Sequence, residues 1–133
     1  MIALTIFIHG RELRFAVVSK LMQPSRLEIA QQPTSDGPLI ARLSGKLSLE
    51  TFSVFLQQTR AITAEKLVLD MSGVSFMDSA GVGALIQLFV LRKSQSKRLV
   101  VAALTPQGTA VMQVTGLTKK IPTFATLEEG SVA

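Results

Sequence analysis

The sequence has no cysteine, no tryptophan, no tyrosine and only one histidine. Each absence removes a class of chemistry. Without cysteine there are no disulfides and no thiolate nucleophile, although this alone does not fix a compartment. With His9 as the only histidine, no second histidine or cysteine exists to build a zinc site. His9 precedes Gly10 in a stretch that reads as a turn, so Ser79 has no histidine base for a hydrolytic triad. Without tryptophan or tyrosine there is no obvious platform for stacking bases. No apolar run reaches the roughly 18–20 residues of a membrane-spanning helix. The longest candidate, Ala80 to Leu91, reads as a buried helix. The amino terminus lacks a basic start and a small-residue cleavage site, which argues against a secretory signal.

What is present suits one domain. A chain of 133 residues, 47% hydrophobic, can bury a core without a metal or disulfide staple. The formal charge is +5, from 14 basic and 9 acidic residues. The basic residues are scattered, apart from Arg92, Lys93, Lys97 and Arg98 and the pair Lys119 and Lys120. Arg92 and Lys93 fall near the end of an expected helix, where cations complement the dipole. The basic residues read as solvated charges rather than a phosphate-binding surface, so no direct nucleic-acid partner is expected.

Residues 1–21 differ from the rest. Two apolar stretches flank His9-Gly10, and Leu13, Phe15 and Val17 alternate with other residues, so a hairpin is possible. Translation from Met22 would make this extension an artefact of start assignment. Removing it lowers the net charge to +3, because it carries three basic residues and one acidic one.

From Arg26 the pattern is regular. "RLEIAQQ" is an alternating strand, "PTSDGP" a turn centred on Asp36-Gly37, and "LIARLSG" the returning strand. Ser48 is placed to cap a helix, with Glu50 in its first turn and Phe52, Phe55, Leu56 and Thr59 on its core face. "KLVLDM" suits a central strand covered on both faces, followed by a turn at Met71-Ser72-Gly73 and a loop docked by Val74 and Phe76. "SAGVGALIQLFVLRKSQ" is a helix with two apolar sides. Val82, Leu85, Ile86, Phe89 and Val90 form one; Ala84, Leu88 and Leu91 form the other. Such a helix is either deeply buried or shows one side to a partner. "RLVVAAL" is a second central strand. Thr105, Pro106 and Gly116 mark the cap, first residue and end of a further helix, with Leu117 as the apolar contact after the end. "IPTFATLEEG" supplies a short last strand, with Leu127 starting a final helix. The order predicts an α/β fold: a mixed sheet with helices packed on it.

The chemistry that remains lies around "FMDSAGVG", residues 76–83. "GVG" lacks the third glycine of a dinucleotide fingerprint, where Ile86 stands, and no Walker lysine follows. Asp70 and Asp78 could pair as catalytic carboxylates, but a spacing of eight positions with a turn in it favours structural roles. Ser79 opens the helix, with Gly81 and Gly83 in its first turns. Each glycine costs about 1 kcal/mol relative to alanine. One reading makes Ser79 an N-cap and the glycines a close fit to the sheet. The other leaves the Ser79 hydroxyl open to another protein.

"LVLDMSGVSFMDSAGVGAL" resembles the signature of STAS domains, in particular bacterial anti-sigma factor antagonists. "LIARLSGKL" and "RLVVAALTPQGTAVMQVTGLTKKIPTF" resemble the flanking parts of that family, in matching order. The resemblance covers residues 26–127 and implies a STAS fold, a small and mostly parallel sheet flanked by helices, for a domain spanning 22–133. It implies a cytoplasmic, non-enzymatic switch without metal, cofactor or membrane insertion. The unphosphorylated antagonist binds an anti-sigma factor, a serine protein kinase, and releases a sigma factor. The kinase phosphorylates the serine of the motif, here Ser79, and a PP2C-type phosphatase resets it. The implied partner-binding residues are Asp78, Ser79, Ala80, Gly81, Val82 and Gly83, with Lys46 and Ser48 from the "GKLS" loop.

Two departures concern the switch. Many relatives have a second hydroxyl where this chain has Ala80, so Ser79 is the only hydroxyl at the motif. Lys46 and Ser48 replace two acids of the "GELD" loop common in the family, which points to a partner of altered charge. An alternative from the same resemblance is an accessory subunit of a lipid-trafficking ABC transporter, in which Ser79 is a structural or contact residue.

Overall fold

The computed structural model describes residues 7–8, 11–12, 26–35 and 37–133. Strands β1 (Phe7–Ile8) and β2 (Arg11–Glu12) pair antiparallel, with Phe7 opposite Glu12 and Ile8 opposite Arg11. This antiparallel pairing agrees with a hairpin in this segment, while His9 and Gly10 themselves lie outside the described residues. Leu13, Phe15, Val17 and the alternative start at Met22 lie outside the described residues.

A five-stranded sheet carries the rest, in the order β3-β4-β5-β6-β7. β3 (Leu27–Pro33) and β4 (Leu39–Leu47) form the expected antiparallel hairpin, with Leu27 opposite Gly45 and Pro33 opposite Leu39. Asp36, at the centre of its turn, lies outside the described residues. β5 (Lys66–Met77), β6 (Arg98–Ala102) and β7 (Thr123–Phe124) then add in parallel. Helices α1 (Phe52–Arg60), α2 (Ser79–Ser94) and α3 (Pro106–Val114) alternate with these strands, and α4 (Leu127–Val132) follows the last. No described helix is long and apolar enough to cross a membrane.

Side chains alternate across a strand, so a strand covered on both faces needs an uninterrupted apolar run. Leu67, Leu69 and Met71 of β5 enter the main core with Phe55 and Leu56 of α1, Val82, Leu85 and Leu88 of α2, and Met112 of α3. Val68 points the other way and joins Ile40, Val100 and Ala102 beneath Phe124 and Leu127. The second layer is thin. It closes because Gly130 brings α4 within contact of β6; a Cβ at Gly130 would lie 3.1 Å from the Ala102 Cβ.

Four local expectations are corrected. Met71-Ser72-Gly73 is no turn: β5 runs on to Met77, and two register shifts against β4, at Arg42/Ser44 and Gly45/Lys46, absorb its extra residues as bulges. Gly73 is needed because a Cβ would come 2.6 Å from the Leu43 carbonyl oxygen. Of the two residues expected to dock a loop, Val74 is buried and Phe76 is not. Ser48 does not cap α1, which begins at Phe52 after Thr51, so Glu50 precedes the first turn. Arg92 is buried, not solvated. Its guanidinium donates to the carbonyls of Arg98 at 2.9 Å and Ile62 at 3.3 Å, and to that of Ala64. Thr105 and Pro106 do open α3, and Gly116, with φ of 73°, follows it with Leu117 buried behind.

Candidate functional site

The site forms where β4 and β5 end side by side, with Lys46 opposite Phe76 and Leu47 opposite Met77. Asp78 follows in an extended conformation, φ −114° and ψ −172°. One of its carboxylate oxygens accepts the Gly81 amide at 3.0 Å; the other accepts the Leu49 amide at 3.2 Å. Asp78 is therefore the N-cap of α2, and it also fastens the β4–α1 loop. This displaces Ser79 from the capping role that sequence alone allowed. Ser79 becomes the first helical residue. It is exposed, and its hydroxyl has no partner among the described residues.

The two glycines separate. A Cβ at Gly81 would stand 2.2 Å from the Leu47 carbonyl oxygen and 2.9 Å from the Met77 Cγ, so this glycine lets α2 start against the end of β4. A Cβ at Gly83 would meet nothing within 4 Å. Gly83 alone leaves open surface above the helix. Positions 79, 83, 86 and 90 stack along one helix face. Ile86 (39% exposed) and Val90 (60%) thus extend the Ser79 face as an apolar stripe. Leu49, 68% exposed, stands on the loop that Asp78 holds.

The expected partner-binding residues divide accordingly. Lys46 and Ser79 are exposed, and Asp78, Ala80 and Gly83 are half-buried. Gly81, Val82 and Ser48 are buried, and the Ser48 hydroxyl has no hydrogen-bond partner among the described residues. These three shape the site from beneath rather than on its surface.

Two supporting residues were not anticipated. The Thr51 hydroxyl accepts the Ser48 amide at 3.0 Å and donates to the Lys46 carbonyl at 2.6 Å, closing the "GKLS" loop. Gln107 of α3 brackets the Met77 peptide, accepting its amide at 2.9 Å and donating to its carbonyl at 2.7 Å. Thr51 could have been read as a cap, since threonine favours that position. Gln107 carries no local signal, because its partner is distant in sequence.

Asp70 and Asp78, weighed as a catalytic pair, both serve structure. Asp70 accepts the Ser72 hydroxyl at 2.8 Å, the Ser72 amide at 3.1 Å and the Arg42 Nε at 2.9 Å. Burial alone would raise its pKa, but these donors outweigh burial and hold the carboxyl below its ordinary value.

The STAS domain family matches residues 30–130. An anti-sigma F factor antagonist from Paenibacillus polymyxa is 32% identical over 92 residues, covering 66% of this chain and 79% of that protein. An anti-sigma factor antagonist from Mycobacterium paratuberculosis superposes with a TM-score of 0.73 at 24% identity, covering 81% of this chain and 93% of that one. Unphosphorylated SpoIIAA gives a TM-score of 0.64 at 23% identity, with 77% and 91% covered. Phosphorylated SpoIIAA of Bacillus gives 0.59 at 21% identity, with 77% and 95% covered. Sheet order, flanking helices and the match over most of the chain agree: the protein belongs to the STAS domain family.

Proposed function

We propose that the protein is an anti-sigma factor antagonist, acting in the cytoplasm by binding rather than catalysis, with residues 22–133 as the interaction module. Its unphosphorylated form docks an anti-sigma factor through the face of Ser79, Ala80, Gly83, Ile86 and Val90, with Leu49 and Lys46 at the margin. Phosphorylation of Ser79 by a serine protein kinase ends the complex, and a PP2C-type phosphatase restores it. The observation that carries this reading is the release of Ser79 from capping: Asp78 holds the helix, so the exposed hydroxyl is free for modification. A phosphoserine adds about 1.5 to 2 negative charges at neutral pH. The start of α2 tolerates an anion, because leading amides and the dipole favour it. An interface does not, because the dianion and the Asp78 carboxylate must be desolvated together.

Recovery of the anti-sigma factor with wild type, Ser79→Ala and Ser79→Asp tests the switch. Wild type and Ser79→Ala retain the partner, while Ser79→Asp binds about a hundredfold more weakly, near 2.8 kcal/mol. Incubation with the kinase and ATP adds one phosphate to wild type and none to Ser79→Ala by intact mass. Equal recovery of all three variants, without phosphorylation, would instead favour a constitutive accessory subunit.

A further inference from the structure

A cavity of about 470 Å³ opens beside the last turns of α2. Its nearest wall on α2, Phe89, lies about 15 Å of helix from Ser79, so the cavity adjoins the Val90 end of the docking stripe and stands apart from Ser79 itself. Phe89 and Phe124 line it together with Lys93, Lys97, Arg98 and Lys120. No described aspartate or glutamate lines it. The Lys93 ammonium sits 5.8 Å above the Phe89 ring, held over the cavity wall by the aromatic face. Arg98 donates one guanidinium nitrogen to the main-chain oxygen of Ala133 at 2.6 Å, and Ala133 lines the cavity as well. The described ion pairs are Arg26–Glu28 and Arg42–Asp70, so no described acid neutralises Lys97 or Lys120.

Arg98 is engaged by Ala133, which leaves Lys93, Lys97 and Lys120 as like charges on one apolar hollow, and an anion among them relieves their repulsion. The volume falls within the roughly 300–1,000 Å³ of small-molecule sites. A polyanion engages charges arrayed along a surface. Here the charges line one concavity together with two aromatic rings, so the ligand needs an apolar body as well as a charged head. We propose that this cavity binds a small amphipathic anion, its apolar part against Phe89 and Phe124 and its carboxylate or phosphate among Lys93, Lys97, Arg98 and Lys120.

Calorimetric titration and amide chemical-shift mapping on the full chain test this. Decanoate and octyl phosphate serve as amphipathic anions, octanol as the uncharged body and inorganic phosphate as the head alone. Both amphipathic anions are expected to bind at least roughly tenfold more tightly than octanol or phosphate. Their shifts should centre on Phe89, Val100 and Phe124, and the better of the two identifies a fatty carboxylate or a phosphate ester as the natural chemistry. The double variant Lys97→Glu, Lys120→Glu should weaken both anions roughly tenfold and leave octanol unchanged. Octanol binding as tightly as decanoate, binding of neither anion, or shifts centred on Ser79 would overturn the proposal. If the double variant melts early, the shift map and probe ranking in the wild-type chain decide it without the variant.

Discussion

Asp78 and Ser79 are adjacent, both residue types favour the N-cap, and only one can occupy it. Asp78 takes the position because its two oxygens satisfy two amides, those of Gly81 and Leu49, where a serine hydroxyl offers one short acceptor. The glycines that follow are a matched pair for experiment, since both cost helix propensity but only one touches the sheet. Gly83→Ala adds a methyl group to open space and should stabilise by about 0.5–1 kcal/mol. In scanning calorimetry that is a rise of roughly 2–4 °C. The same methyl group intrudes on the Ser79 face, so binding of the anti-sigma factor should weaken as stability rises. Gly81→Ala drives a methyl group into the Leu47 carbonyl and should destabilise by about 2 kcal/mol or more. Melting points that move in the same direction for both variants would refute separate roles.

Helix α2 has apolar residues on both sides for two different reasons. Leu88 is fully buried, and Leu88→Ala should cost about 2–5 kcal/mol in urea unfolding. Val90 and Ile86 face outward, so Val90→Ser should change stability by no more than about 0.5 kcal/mol. The same substitution should weaken anti-sigma factor binding roughly tenfold, since an apolar stripe that leaves water only in the complex contributes there. Unchanged binding by Val90→Ser would remove this stripe from the docking face. The sequence made α2 legible as a helix but not which side it buries. Its periodicity grouped Ile86 and Val90 with Val82 and Leu85, because a helix apolar all round has no moment to read. The element order, the β3–β4 hairpin and the cap of α3 were legible because each rests on local alternation or turn chemistry. The length of β5, the burial of Arg92 and the grip of Gln107 on Met77 were not. Each depends on carbonyls or strands supplied from distant parts of the chain.

Asp70 ties these elements into one molecule. It lies on the central strand, opposite Arg42 of β4 and Ala102 of β6, just before the first register shift. Its folded pKa is below the ordinary value, so the folded state binds fewer protons there than the unfolded chain. Stability from this group is therefore complete above the unfolded value of about 3.9 and is lost as pH falls through the lower folded value. Lys66 acts at the other end of the scale. Burial, and then Arg98, lower its pKa, so its contribution changes only in alkali and leaves the acid limb to Asp70. Arg42 is half exposed, so water screens the ion pair, and the two part-buried Ser72 bonds carry more of the effect. Asp70→Asn should lose about 1–2 kcal/mol at pH 7, because it keeps an acceptor but gives up the charge. Urea unfolding at a series of pH values should show this gap between wild type and variant closing below about pH 4 as the wild-type carboxyl takes up its proton. A gap that stays constant into acid would mean that Asp70 acts by shape alone. Because the Asp70 side chain links the central strand to β4 inside the sheet, the loss should appear as a shift of the single cooperative transition rather than as fraying at one edge.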